Sequence, residues 1–302
     1  MKPHVLSPEL AILNQARRIF DNLDVSKNSR AEYAYRIRIF IDYIQKQGFN
    51  RDTYLEFKRY LQGRNDLSIS SKNKYLVVAR IYCKELHRQG VLPIDITQNI
   101  KSFKQSRKHK KEGLNDSEIN TIVCYLHQLP QTPQNMRLKA ILCLLILQGL
   151  RQIEIVRLNV TDLELVLGHA RILGKGKDDT EAVDLHQETV LVLKDYLRVS
   201  KIADGALFTS SSNNSRNLRL TTKSIRNIVN PILRELGIKK SVHGFRHYFV
   251  TKLVKAYRGD LLEVCRYTRH RSIETLQIYN DNIKAKSDLP RYYNTFKSIS
   301  LS

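Results

Sequence analysis

The sequence predicts a mainly α-helical protein of two domains, the second interrupted by a small three-stranded antiparallel sheet. Three observations predict it. Apolar residues recur three and four apart through most of the chain. Between 162 and 186 that period gives way to three short apolar stretches separated by glycines. A run of bases at 101–111, without apolar periodicity, divides the two parts. At 302 residues the chain is long enough for each part to bury its own core.

The elements follow in order. Ser7-Pro8-Glu9 reads as a helix start, with a Ser N-cap, Pro at the first helical position and an acid in the first turn. Leu10, Leu13, Ala16, Ile19 and Phe20 then form its apolar stripe. Tyr33, Ile37, Phe40, Ile41 and Ile44 predict one helix from about Asn28 to Gln47, closed by Gly48. A short helix is expected over Asp52 to Leu61. A fourth runs from about Ser70 to His87, with Tyr75, Val78, Ala79, Tyr82 and Leu86 inward and Gly90 at its end. Residues 1–100 thus read as a four-helix module, and 101–112 as a linker.

The second domain, 113–302, opens on Asn115-Asp116-Ser117-Glu118, a strong helix start. The most apolar segment, Leu138 to Leu150, predicts a buried helix. Leu163–Leu165, Ala170–Leu173 and Ala182–Leu185 predict the strands, with a tight turn near Lys177–Thr180. Helices resume near Glu188, at Thr222, and over Gly244 to Lys255. A tail from about 283 carries Leu289, Tyr292, Tyr293 and Phe296.

Composition narrows the partners. The chain has 51 Lys and Arg against 29 Asp and Glu, a net charge of +22. Such a surplus attracts a polyanion, most commonly nucleic acid, and both parts share it. Lys101, Lys104, Arg107, Lys108, Lys110 and Lys111 concentrate charge in the linker and are expected to lie on phosphates. No run approaches the roughly 18 apolar residues of a membrane span, and MKPHVLSPEL lacks the apolar core of a signal peptide. Cys83, Cys124, Cys143 and Cys265 lie far apart, without metal-ligand spacing. A cytoplasmic, nucleoid-associated protein with no membrane partner and no metal is expected.

Four spots can carry chemistry. In Gly149-Leu150-Arg151-Gln152-Ile153-Glu154, the Arg and Glu stand three apart on one helix face. Gly174-Lys175-Gly176-Lys177 sets a lysine at the mouth of a hairpin. His243-Gly244-Phe245-Arg246-His247 leads into an apolar helix, and Arg269-His270-Arg271-Ser272 precedes a helix bearing Tyr279. Nine residues at about 100° each set His270 and Tyr279 on opposite faces of an unbroken helix. They share a site only if the chain bends, and Ser272 as N-cap of a new helix at Ile273 supplies the bend. Cleaving a phosphodiester without a metal needs positive groups around the nonbridging oxygens, a nucleophile, and an acid for the leaving oxygen. Arg151 and Arg246 suit the first task, because a guanidinium fork matches two oxygens.

Gly-Leu-Arg-x-x-Glu, Gly-Lys-Gly, His-x-x-Arg-His, then a His followed nine residues later by Tyr, is the order in which these motifs stand. In that order and spacing, over about 140–285, the sequence resembles the tyrosine recombinases, the phage integrase family, of Xer type. The module at 1–100 resembles that family's core-DNA-binding, SAM-like domain, and 113–302 its mixed α+β catalytic domain. The resemblance implies a catalytic set of Arg151, Lys175, His243, Arg246, His270 and Tyr279. Lys175 protonates the departing 5′ oxygen, with Lys177 as its competitor. His243 is the base toward Tyr279, and His270 a further phosphate donor. Glu154 orients Arg151 or His243, and His247 supports the site from behind. Tyr279 forms a 3′-phosphotyrosine that conserves bond energy, so neither ATP nor any other cofactor is needed. The partner implied is double-stranded DNA with specific sites, bound by a homo-tetramer, alone or with a related recombinase, on two duplexes joined through a Holliday junction. The tail docks on a neighbouring protomer.

Each residue also has an ordinary reading: an exposed Arg151–Glu154 helix pair, a solvated turn lysine, core histidines at 243 and 247, and one core aromatic among 15 tyrosines. Two function classes stand beside the recombinase, a type IB topoisomerase-like relaxing enzyme and a catalytically silent DNA-binding protein on the same scaffold. Two stretches depart from the family pattern. Asp178, Asp179, Glu181 and Asp184 stand where a base and Val-Pro-Leu are usual, and are expected to repel DNA or hold the lysine. Thr268-Arg269 stands where Leu-Gly is usual, adding charge beside the site.

Overall fold

The computed structural model describes residues 18–105, 113–174, 176, 178–211, 217–270 and 272–295. The chain divides into two compact units, Met1–Ser106 and Arg107–Ser302.

In the first unit, the helix expected from Ser7 lies mostly outside the described residues; Ile19 and Phe20 at its end are buried, and a 3₁₀ turn spans Phe20–Asn22. Helices α1 (Lys27–Arg36), α2 (Arg38–Gln47), α3 (Thr53–Gly63) and α4 (Ile69–Arg88) follow. Ser26 and Ser68 cap α1 and α4, accepting the amides of Ser29 and Ser71. The single helix expected over 28–47 is two segments that meet at Ile37. Hydrogen bonds run through the join, Ile37 N–H to Tyr33 O at 2.9 Å and Ile41 N–H to Ile37 O at 3.0 Å. The interruption is therefore a local flattening of the backbone, with ψ −22° at Ile37, and not a lost turn.

The core of this unit is aromatic. Phe40, Phe57 and Tyr82 are fully buried, and the Phe40 and Phe57 rings meet edge to face at 4.7 Å. Buried Tyr54 satisfies its hydroxyl on Leu76 O at 3.0 Å. The start of the basic run is not a free linker. Asn73 of α4 accepts Phe103 N–H at 2.8 Å and donates to Phe103 O at 3.0 Å, pinning it to the first unit. Lys101 and Lys104 remain exposed on that pinned segment. Arg107, Lys108, Lys110 and Lys111 lie outside the described residues.

The second unit begins with α5 (Asp116–Gln128), closed at its start by the reciprocal Asn115–Glu118 capping box. Helix α6 (Pro133–Ile146) carries the apolar segment; it starts five residues before the expected Leu138 because Thr132 caps it and Pro133 suits its first position. It ends at Ile146, short of the expected Leu150, where Gly149 turns the chain. Next come α7 (Gln152–Arg157) and the antiparallel sheet β1 (Leu163–Glu164), β2 (His169–Leu173) and β3 (Thr180–Asp184), in spatial order β1-β2-β3. Leu173 pairs with Thr180 and Ile172 with Glu181, so β3 is an edge strand held by β2. Helices α8 (Gln187–Ser200), α9 (Thr222–Glu235), α10 (His243–Ala256), α11 (Leu261–Thr268) and α12 (Ile273–Thr295) complete the unit. Its main core joins Ile141 and Leu145 of α6 to Leu193 and Tyr196 of α8 and to Phe245. A second, smaller core of Val250, Val254, Val264 and Leu276 ties together α10, α11 and α12, and includes the Tyr279 ring.

Candidate active site

The site forms where the end of α6, the start of α7, α10 and the turn between α11 and α12 converge. Gly149 sits at φ +57°, and a Cβ there would lie 2.2 Å from the Phe249 ring, so both backbone and space require glycine. Its carbonyl accepts Arg246 Nη1 at 2.6 Å. Arg246 is 3% exposed, and its Nη2 donates to Thr268 O at 2.6 Å. Two backbone carbonyls from separate segments thus hold the guanidinium in place. Burial, then the charge of Arg151, pushes its pKa down to about 9, which leaves it protonated at neutral pH.

Arg151 precedes α7, and Glu154 reaches back to it from the first turn. Glu154 Oε2 accepts the Arg151 amide at 2.8 Å and Oε1 accepts Arg151 Nη1 at 2.7 Å. The three-residue spacing makes this possible, and a carboxylate there also suits the positive end of the helix. Arg269 Nη2 donates to the same Oε2 at 3.0 Å. The Glu154 side chain has no exposed surface. Burial works to raise its pKa, but Arg269 and the Arg151 amide and guanidinium prevail and hold it below the usual range. Three arginines around one buried carboxylate leave a positive surplus suited to a phosphodiester.

His270 lies in the turn after α11, its Nδ1 2.8 Å from Thr268 Oγ1 and its Nε2 3.4 Å from Arg246 Nη2. Facing a group that only donates, Nε2 is the acceptor, which assigns the ring proton to Nδ1. Burial, then Arg246, Arg151 and Arg269, drives its pKa down to about 3, so the ring is neutral at pH 7. The bend expected between His270 and Tyr279 is present, since α11 ends at Thr268 and α12 begins at Ile273.

Tyr279 Oη is hydrogen-bonded to His247 Nδ1 at 2.6 Å, and the residue is 8% exposed. Burial raises the phenol pKa to about 12 while Arg246 pulls it down, so Tyr279 is protonated at neutral pH. The His243 ring meets His247 edge-on, centroids 4.7 Å apart. Gly113 lets the chain pass close to this helix, since a Cβ there would sit 2.7 Å from His247 Cβ.

The structure therefore gathers Arg151, Glu154, Arg246, His247, His270 and Tyr279, with His243 beside them. Lys175 and Lys177 lie outside the described residues; the carbonyl of Gly174, just before Lys175, accepts Arg157 Nη1 at 3.2 Å. The acidic stretch does not behave uniformly. Asp184 pairs with His169 at 2.8 Å, while Glu181 Oε1 faces Arg269 Nε at 3.4 Å. The sequence reading placed His247 behind the site, yet it touches the Tyr279 hydroxyl. The signal was present, because residues 243 and 247 stand four apart on one helix face. Arg269 and Glu181 were read as separate departures, and the fold brings them within 3.4 Å of each other. Among the described residues, no group of three or more His, Cys, Asp or Glu could hold a metal ion.

The model of the phage integrase family matches residues 112–286, more than half of the chain. The chain belongs to the phage integrase family. Among curated proteins, it is 28% identical over 289 residues to tyrosine recombinase XerC of Roseiflexus sp. (strain RS-1), covering 91% of this chain and 90% of that one. It is 29% identical over 234 residues to tyrosine recombinase XerD of Oceanobacillus iheyensis, covering 74% of each. The expected enzyme class, tyrosine recombinase, stands on these relatives. Among solved structures, XerH recombinase bound to a palindromic difH substrate in a post-cleavage complex aligns with TM-score 0.74 at 20% identity, over 92% of this chain and 84% of that one. A lambda integrase tetramer on a Holliday junction aligns with TM-score 0.66 at 11% identity, over 89% and 76%. These two share the fold, mainly helical with a small antiparallel sheet.

Proposed function

We propose that this phage integrase family member is a site-specific DNA recombinase that cuts and rejoins strands through a 3′-phosphotyrosine on Tyr279. The observation that carries the reading is the buried Tyr279 hydroxyl, 2.6 Å from a histidine nitrogen and beside a guanidinium fixed by backbone carbonyls. In the proposed step, Tyr279 Oη bonds to phosphorus as the bond to the 5′ oxygen breaks. The phenolic proton passes to the His243–His247 pair, His247 Nδ1 being the atom in contact. Arg151 and Arg246 stabilise charge on the nonbridging oxygens, and His270 joins them as a third donor when its ring proton moves from Nδ1 to Nε2 as phosphate enters. Lys175, as general acid, gives a proton to the departing 5′ oxygen. Attack of a 5′ hydroxyl on the phosphotyrosine reverses the step, so the backbone bond is conserved.

The first unit and the basic run, Lys101 and Lys104 included, grip phosphates, and sequence-neutral affinity should fall steeply with salt. The assembly is a tetramer on two duplexes exchanging strands through a Holliday junction, an arrangement supported by the lambda integrase relative. Leu289 and Tyr293 are exposed on α12, which suits docking of the tail on a neighbouring protomer; truncation after Asn282 that left synapsis unchanged would refute this.

A nicked suicide substrate tests the chemistry. The wild type should trap covalent protein–DNA adduct, and Tyr279→Phe should bind DNA and trap none. No adduct with the wild type refutes an enzyme reading and favours a silent DNA-binding protein. Relaxation of a supercoiled circle without recombination between two sites favours the topoisomerase alternative.

A further inference from the structure

Thr268, the last residue of α11, holds two groups of the site, one with its backbone and one with its side chain. Its carbonyl accepts Arg246 Nη2 at 2.6 Å, and its hydroxyl lies 2.8 Å from His270 Nδ1. The two side chains meet because Arg269, at φ +53°, ends α11 in a left-handed turn that brings residue 270 back toward residue 268. The His270 carbonyl accepts the Cys265 thiol at 3.3 Å, which ties the turn to α11. Thr268 is fully buried, where a valine would fill the same space without desolvating a hydroxyl. What the hydroxyl adds is its bond to His270.

The kind of partner at Nδ1 matters. A neutral imidazole has one N–H, and the bond made by one nitrogen decides what the other can do. A carbonyl or carboxylate at Nδ1 only accepts, so it would keep the proton there and leave Nε2 an acceptor. A hydroxyl can accept or donate. As the site stands, Nε2 faces Arg246, which only donates, so Nδ1 carries the proton and Thr268 Oγ1 accepts it. A phosphate oxygen only accepts. Facing one, Nε2 must carry the proton, and Nδ1 then needs a donor.

We propose that Thr268 is a positioning residue whose hydroxyl reverses its hydrogen bond with His270 Nδ1, from acceptor to donor, and so lets Nε2 donate to the scissile phosphate. This rests on the reading of His270 as a phosphate donor. No proton is gained or lost overall. One leaves Nδ1 for water, one reaches Nε2 from water, and the hydroxyl hydrogen of Thr268 swings toward Nδ1. His270 is half-buried, which leaves the ring open to that exchange. Arg246 is held by the Thr268 carbonyl, so a change of side chain at 268 bears on His270 and spares that bond.

The test compares Thr268→Val with Thr268→Ser in single-turnover cleavage of a nicked suicide substrate by the full-length protein. Valine keeps the shape and loses the hydroxyl, whereas serine keeps the hydroxyl and loses a methyl group. Thr268→Val should slow cleavage by about tenfold or more, and Thr268→Ser should cleave near the wild-type rate. In a His270→Ala background, Thr268→Val should slow cleavage no further. Nitrogen NMR of the histidine rings, with His270 assigned by its loss in His270→Ala, reads the tautomer directly. The proton should sit on Nδ1 in the Tyr279→Phe protein alone and on Nε2 in its complex with DNA. A purely packing role would rank valine above serine; that order, or a proton on Nδ1 in both states, overturns the proposal. If His270→Ala is slow and Thr268→Val is not, the donor reading stands and the role of Thr268 is wrong. If His270→Ala cleaves at the wild-type rate, the donor reading falls and this role falls with it.

Discussion

The core of the first unit and the layer beneath the active site are equally buried and are held by opposite means. Phe40, Phe57 and Tyr82 interlock as apolar rings within one set of consecutive helices. Glu154, Arg246 and Arg269 are also buried, but each takes charge or carbonyl partners from a distant segment, with Arg269 Nε and Nη1 left without a hydrogen bond. Apolar packing is non-directional and tolerates substitution that conserves volume. A buried ion network is directional: removing one member leaves the others desolvated and uncompensated. The first kind of burial holds a shape, while the second also aims particular atoms.

The contrast should appear most strongly in a matched pair of substitutions. Phe57→Ala empties a ring-sized site and should cost about 3–5 kcal/mol of stability. Glu154→Ala leaves Arg151 and Arg269 without their shared carboxylate and should cost a similar 3–5 kcal/mol. Denaturant unfolding would then hardly separate the two. Single-turnover cleavage at saturating DNA, below the melting range, should separate them completely. Phe57→Ala should cleave near the wild-type rate, and Glu154→Ala should be slower by about a hundredfold, since Arg151 is no longer aimed. Equal cleavage defects would mean that the carboxylate only stabilises the fold.

A smaller effect is expected at Gly149, where shape and aim meet in one residue. An alanine meets the Phe249 ring and a left-handed backbone, at a cost of about 1–3 kcal/mol. The carbonyl that holds Arg246 must move with it. Cleavage should fall by more than the stability loss explains, and Phe249→Ala on top of Gly149→Ala should restore part of it by making room. If Phe249→Ala restores stability but no activity, the carbonyl is not what places Arg246.

The same contrast explains what could be read from the sequence. The helices at 53–63 and 69–88 were legible because helical burial demands apolar residues at a fixed period, and Tyr75, Val78, Ala79, Tyr82 and Leu86 supply it. The join at Ile37 was not, because the apolar stripe runs through it without a break. Arg151 with Glu154, and His270 with Tyr279 across a bend at Ser272, were legible from local spacing and capping chemistry. The bond from Arg246 to Gly149 spans 97 residues and ends on a backbone carbonyl. No side-chain pattern marks a carbonyl. Arg269 with Glu181 was visible as two oddities, and only the fold joins them.

The smallest expected effect is a pH dependence that should belong to the site and not to the aromatic core. The folded-state pKa of His270 is pushed down to about 3 by burial and by Arg246, Arg151 and Arg269, from an ordinary value near 6.5. Between those values the unfolded chain takes up a proton at this residue and the folded chain does not. Since stability rises with pH wherever the unfolded state binds more protons, this group should weaken the fold progressively as pH drops below about 6.5. Above that it is neutral in both states and contributes no slope. His270→Gln keeps a polar side chain beside Arg246 and removes the titration. The wild-type urea midpoint should therefore fall between pH 7 and 5 more than that of His270→Gln, while Phe57→Ala should keep the wild-type slope from a lower starting point. Parallel slopes in all three would mean that His270 takes its proton in the folded protein, and that the three arginines around it do not hold the ring neutral.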